Sequence, residues 1–243
     1  MAVSKAVYKT VFRMRAKSRE PANLAEDAYE AIKRAIASFE FQPGATLSEN
    51  RMGAWLNMSR TPVREAFRRL SRDGLLQRQV GGGSFTVARM TRREIGDTLD
   101  LLELVDIYIA RNATRNMSRE NGKLLLGIAR NLRSAAEQHD VAAWKDEDRE
   151  YHDLQLCLGG NLVAAETSRN LRQRVQRFWV NYEQRTGRMI QCSHEHEQIA
   201  RAMTRGEADR VEQLIRSHIT RLRESLNVML DAAEPLLGIG DGA

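Results

Sequence analysis

A mainly α chain with one short β-hairpin follows from three features of the sequence. Apolar residues recur at three- and four-residue spacing through most of the 243 positions. Two short β-type runs, LLQRQV and SFTVA, flank the triplet Gly81-Gly82-Gly83. Glycines fall between the periodic stretches, as helix terminators do.

Residues 1–20 contain KAVYKTVFRMRAKSRE, basic and without a clean period, and read as a flexible basic arm. From Pro21 to Ser38 the positions Leu24, Ala28, Ile32, Ala35 and Ile36 predict a first helix, and Pro43-Gly44 then signals a turn. Ser48 can cap a second, short helix through Met52, Trp55 and Leu56, with Asn57-Met58 as a tight connection. The next stretch, NMSRTPVREAFRRL, predicts a third helix. Ser59 or Thr61 can accept from its orphan N–H groups, and Pro62 falls in the first turn, where a missing N–H costs nothing. Val63, Ala66, Phe67 and Leu70 form its apolar back; Thr61, Arg64 and Arg68 form its front, with Arg60 at the leading edge. Gly74 stops it.

Two short helices joined by a turn make a helix-turn-helix, and a hairpin after the second of them makes a wing. Its glycine tip lets backbone approach a partner closely, since no Cβ stands in the way. Residues 21–90 are therefore expected to be a winged helix-turn-helix of three helices plus a β-hairpin. Thr91-Arg-Arg-Glu94 matches a capping box opening a helix to about Asn116. Further helices fit roughly 119–138, 141–158, 162–185, 194–205 and 207–231. Residues 91–232 thus predict an all-α antiparallel helical bundle, and 233–243 a frayed tail.

Composition narrows the function. With 42% hydrophobic and 29% charged residues the chain is globular. No uncharged apolar run reaches the 18 residues or so of a membrane span, and the N-terminus lacks the apolar segment of a secretory signal. Cys157 and Cys192 form no CxxC pattern and read as reduced thiols of a cytoplasmic protein. Residues 1–90 hold 16 Lys and Arg against 8 Asp and Glu, while 91–243 hold 22 against 24. A basic third on a near-neutral remainder points to a polyanion partner for one part only.

The run LSENRMGAWLNMSRTPVREAFRRLSRDGLL, Leu47–Leu76, followed by the glycine wing, resembles the GntR-type winged-helix transcription regulators. The second domain looks like the all-helical FCD ligand domain of the FadR-like subgroup. The resemblance covers about residues 22–230. It implies double-stranded DNA as partner, with the second helix of the motif in the major groove and the wing toward the minor groove. Arg60 and Arg64 are then the base readers, through bidentate donors to guanine or to phosphate. Ser59 and Thr61 can donate to phosphate, and Gly81 and Gly82 bring the wing close. Where many relatives carry a basic residue this chain has Asn50, which can read adenine, beside Arg51 as a phosphate contact.

Asp148 and His152 are four apart in KDEDREYHDL and share a helical face; His196 and His218 lie on successive later helices. One carboxylate and three imidazoles suit Zn, Ni or another first-row divalent ion. On spacing alone such histidines are more often surface or hydrogen-bonded core residues than ligands. The resemblance supplies more, because the FCD metal ligands are Asp-x-x-x-His plus two later histidines. The same subgroup usually has an arginine and, four residues on, a glutamate to hold a carboxylate effector. Here those positions are Leu102 and Asp106. The effector is then more apolar, is held by another arginine, or is absent.

The leading expectation is a homodimeric repressor on a pseudo-palindromic operator, with a divalent metal and a small-molecule effector, metal-chelating metabolites being the candidates. A constitutive DNA-binding dimer would bind operator regardless of metabolites and chelators. A metal-dependent enzyme would turn a ligand over, but no general base is evident beside the site except Glu195 and Glu197 by sequence proximity.

Overall fold

In a computed structural model, residues 23–37, 40–79, 84–89, 91–186 and 188–237 are described. The basic arm and the glycine tip, Gly81 and Gly82 included, lie outside them, as does the tail from residue 238. The chain divides into two compact units, one mainly within 19–96 and the other mainly within 97–171 and 182–226.

The first unit contains α1 (Leu24–Ala37), β1 (Thr46–Ser48), α2 (Glu49–Leu56), α3 (Arg60–Arg72), β2 (Leu76–Arg78) and β3 (Ser84–Val87). Its core joins Ile32 and Ile36 of α1 to Val63, Ala66, Phe67 and Leu70 of α3, with Phe67 set edge-on to Phe85 at 4.8 Å between ring centres. The apolar back of α3 is therefore the one the spacing predicts. Ser48 caps α2, accepting from Arg51 N–H at 3.3 Å. Gly74, at φ +71°, ends α3 with paired bonds: its N–H donates to Ser71 O and that of Leu75 to Leu70 O. That is the Schellman arrangement, which favours glycine at the left-handed position.

Two local expectations need correction. The hairpin is part of a three-stranded antiparallel sheet in the order β1-β3-β2, with Leu47 opposite Phe85 and Leu76 opposite Val87. β1 is too short to show a period, and its one buried residue, Leu47, is recruited by β3. Ser59 occupies the N-cap of α3, but its side chain makes no capping hydrogen bond.

The turn between α2 and α3 depends on Gly53. A Cβ there would lie 2.8 Å from the Met58 carbonyl oxygen, while Met58 N–H donates to Gly53 O at 2.9 Å. In an ordinary helix Gly→Ala stabilises by about 1 kcal/mol. Here Gly53→Ala should destabilise the unit by about 1–3 kcal/mol, since backbone must shift to admit the methyl. Chemical denaturation checks the sign.

The second unit is helical: α4 (Arg92–Arg115), α5 (Arg119–Glu137), α6 (Val141–Gly159), α7 (Leu162–Thr186), α8 (Arg188–Thr204) and α9 (Ala208–Leu237). The Thr91–Glu94 capping box closes as expected, with Thr91 N–H on Glu94 Oε2 at 2.7 Å and Glu94 N–H on Thr91 Oγ1 at 3.1 Å. α5 packs on both α6 and α8 through Leu132, Ala136, Trp144, Met189 and Cys192. Trp144 Nε1 donates to Ser193 Oγ, which satisfies the buried indole. α8 starts six residues before the expected 194, because Met189, Cys192 and Ser193 are already buried parts of its inner face. α9 continues through Leu237 rather than stopping near 231.

Candidate metal centre and nucleic-acid interface

The front of α3 is a cationic surface. Ser59, Arg60, Thr61, Arg64 and Arg68 are exposed, as are Asn50 and Arg51 on α2. α3 has no acidic residue of its own in its first turn to oppose its dipole's attraction for an anion. Arg64, Arg68, Arg72 and Arg78 line a groove of about 550 Å³ together with Glu49 and Glu65. Glu49 also holds Arg60, Nη2 to Oε2 3.3 Å. Arg69 lines the same groove. It pairs with Glu26 of α1 and stacks 4.1 Å above the Tyr29 ring, whose hydroxyl donates to Asp73. It belongs to the α1–α3 contact.

In the helical unit, α6 presents Asp148 and His152 one turn apart, and α8 presents His196 to both. His196 Nε2 lies 3.1 Å from His152 Nε2 and 3.7 Å from Asp148 Oδ1; His152 Nε2 lies 3.5 Å from that same oxygen. Two nitrogens and a carboxylate oxygen thus converge. Tetrahedral ligands about 2.0–2.1 Å from a zinc ion are about 3.3–3.4 Å apart, so the spacing fits a shared divalent ion. A proton on His152 would satisfy one of these contacts, whereas a cation satisfies all three.

The Nδ1 atoms of His196 and His218 are already engaged. His196 Nδ1 lies 2.8 Å from the Cys192 carbonyl one turn earlier. A carbonyl can only accept, so Nδ1 carries the proton and Nε2 keeps its lone pair for the site. His218 Nδ1 donates to Glu195 Oε2 at 2.6 Å, and Glu195 Oε1 makes an ion pair with Arg221. A carboxylate behind a histidine is the usual device for orienting a metal-binding imidazole. Tyr151 donates to the His196 carbonyl at 2.9 Å and sets its ring edge-on to the His196 imidazole.

Burial drives the His196 pKa well below its ordinary value, and the neighbouring His152 and His218 push the same way. The ring is held neutral, the form that binds metal. Burial alone would raise the Glu195 carboxyl, but the His218 hydrogen bond and the charges of His218, Arg221 and Arg188 leave it lowered, hence ionised.

Among the described residues the potential ligands form two triads, each with ligand atoms within 4.8 Å of one another. One is Asp148, His152 and His196; the other is Cys192, His196 and His218. His196 is common to both. Cys192 Sγ sits 3.5 Å from His196 Nδ1, the protonated nitrogen, so it lies behind the ring rather than at its ligating edge. Cys192, Tyr151 and the supporting role of Glu195 were not legible in the sequence. Only the i, i+4 spacing of Cys192 and His196 hinted at the first. Leu102 is fully buried in the core, and Asp106, also buried, accepts from Ser168 Oγ at 2.7 Å.

A winged helix-turn-helix with a cationic reading face, followed by a helical bundle with a buried carboxylate–histidine centre, defines a DNA-binding transcriptional regulator. Residues 24–86 match the bacterial regulatory proteins of the gntR family, and residues 97–221 match the FCD domain. The chain belongs to the GntR family, in the FadR-like subgroup with an FCD domain. It is a regulator and not an enzyme. It is 25% identical over 207 residues to the HTH-type transcriptional repressor RspR of Escherichia coli K12, covering 85% of this chain and 90% of that one. The solved structure of E. coli McbR/YncC superposes with a TM-score of 0.70 at 17% identity, covering 84% of this chain and 97% of that one. A GntR regulator from Rhodococcus sp. RHA1 gives 0.64 at 21% identity, covering 85% and 99%. No helix among the described residues is long and apolar enough to cross a membrane.

Proposed function

We propose that this regulator is a homodimeric, metal-dependent repressor in the cytoplasm, and that a small effector bound in the helical domain changes its affinity for a pseudo-palindromic operator. The observation that carries the DNA half is the exposed, acid-free start of α3 with Arg60, Thr61 and Arg64 on its open face. Arg60 and Arg64 read base edges; Ser59 and Thr61 hold phosphate, assisted by first-turn N–H groups that receive no side-chain cap from Ser59. Asn50 and Arg51 add contacts from α2, and Gly81 and Gly82 from the wing tip. Two copies on a two-fold axis read half-sites about one helical turn apart. The repressor assignment draws on the name of the E. coli relative.

For the metal, the donor set of Asp148, His152, His196 and His218 favours Zn or Ni. A bound ion supplies Lewis-acid attraction for oxygens of an effector, which makes chelating metabolites the first class to test. Leu102 contributes no cation, so the ion itself carries more of the effector's charge. The same Leu102 favours one other reading, a constitutive dimer without an effector.

Replacing Arg64 tests the reading helix. Arg64→Ala should weaken binding to the selected operator by about 1–3 kcal/mol and relax preference at one base position. The side chain is exposed, so the fold should be unaffected. Operator binding as tight as the wild type's would remove α3 from the role given to it.

A further inference from the structure

Arg60 opens α3 on the face given to DNA, and a carboxylate stands beside it. Its Nη2 lies 3.3 Å from Glu49 Oε2, across the turn that joins α2 to α3. The Arg60 side chain is 67% exposed, whereas that of Glu49 is only 14% exposed. The carboxylate is therefore the fixed partner and the guanidinium the movable one. Glu49 is set in place by the start of α2, directly after the capping Ser48, where the helix dipole favours an acid. It also lines the groove that Arg64 lines.

An ion pair with one partner this exposed adds little to folding stability. Its consequence lies in what Arg60 can bind. The planar guanidinium fork carries more donors than the single contact to Glu49 uses, so one edge stays open. At a duplex that edge has two kinds of acceptor within reach. Phosphate oxygens are charged, and attraction to them draws on the net charge of the side chain. Guanine O6 and N7 are neutral, and they require the geometry of the fork rather than its net charge. A carboxylate 3.3 Å away offsets the charge that a phosphate would see and repels that phosphate directly. It leaves the donors aimed at a base edge intact. Glu49 thus penalises the contact that carries no sequence information more than the one that does. Specificity is commonly built by such a repulsive element. The pair also restricts a long side chain before binding, which lowers the ordering cost of docking it.

We propose that Glu49 is a specificity-determining residue of the DNA interface, holding the Arg60 guanidinium to guanine O6 and N7 and off the phosphate backbone. The proposal rests on the reading of α3 given above and deepens it, by assigning Arg60 to one of its two classes of acceptor.

Fluorescence anisotropy on the full-length protein tests it, with the selected operator and a random duplex of equal length as the two probes. Glu49→Gln keeps the shape of the side chain and removes its charge. Its affinity for random duplex should rise several-fold, and its preference for operator over random duplex should fall about tenfold. Glu49→Asp keeps the first-turn charge on α2 but withdraws it from Arg60, so it should lower the same ratio without loss of the helix-start acid. In an Arg60→Ala background Glu49→Gln should leave the ratio unchanged, because Glu49 acts through Arg60. Operator preference unaltered by Glu49→Gln and Glu49→Asp, with Arg60→Ala still losing it, would overturn the assignment and leave Glu49 a general repeller of DNA. A ratio that falls as far in the Arg60→Ala background would also overturn it, since Glu49 would then contact a base itself, as a carboxylate can at cytosine N4. An Arg60→Ala variant with wild-type operator preference would remove Arg60 from base reading and the proposal with it, without touching Arg64 or the metal.

Discussion

Alanine at position 196 should abolish the metal centre. Elemental analysis of natively purified protein is expected to give about one Zn, Ni or similar ion per wild-type chain and essentially none for His196→Ala. The reason is geometric. His196 is common to both triads, and its Nε2 faces His152 and Asp148 across 3.1 and 3.7 Å. Its ring is oriented by Cys192 O behind and Tyr151 at the edge. Losing one ligand from a site of three or four removes most of the binding free energy, and losing the one at the junction affects every ligand. Substituting Glu195 instead, which acts only through His218, should weaken binding by about 10–100-fold rather than abolish it. No metal in the wild type, even after reloading with candidate ions, would return Asp148, His152, His196 and His218 to hydrogen-bonded core residues.

Phe67→Ala should cost about 3–5 kcal/mol of stability in the first unit, the range for removing a fully buried aromatic ring. Phe67 is 0% exposed and set against Phe85, so its loss opens a cavity between α3 and the sheet. That unit has a small core, and a loss of this size is a large share of the 5–15 kcal/mol that folded domains typically hold. Denaturation followed by operator binding should show the reading function failing early, while the helical unit keeps its metal. A shift below about 1 kcal/mol would mean that Phe67 does not key α3 to the wing.

The difference between these two sites also explains what the sequence could reveal. α3 was legible because its determinants are local: Pro62 in the first turn, the stripe Val63-Ala66-Phe67-Leu70, and Gly74 at the end. β1 was not, because three residues carry no period and Leu47 takes its place only when β3 pairs with it. The tie of Arg69 to Glu26 and Tyr29 was not legible either, since it spans forty or more residues of sequence. In the helical unit, four candidate ligands were visible as residue types at suggestive spacings. What orients them was not. The Cys192 carbonyl matters only because α8 begins at Arg188, six residues before the expected 194. Glu195 matters only because α9 brings His218 to it.

Leu102 and Asp106 remain the departure with the most functional weight. A buried leucine and a carboxylate engaged by Ser168 leave no cation where the subgroup's relatives hold an effector carboxylate. In the proposed reading the metal carries that role, which ties the regulatory account to a single ion.

Operator affinity of one preparation, measured by fluorescence anisotropy before metal removal, after it, and after reloading with one equivalent of Zn or Ni, tests this most directly. Coupling of the usual size predicts about a 5–150-fold change on removal, reversed on reloading and absent in His196→Ala. The same affinity in all three states, with metal loss verified, would contradict the account and leave a DNA-binding dimer whose helical domain does not report on the ion.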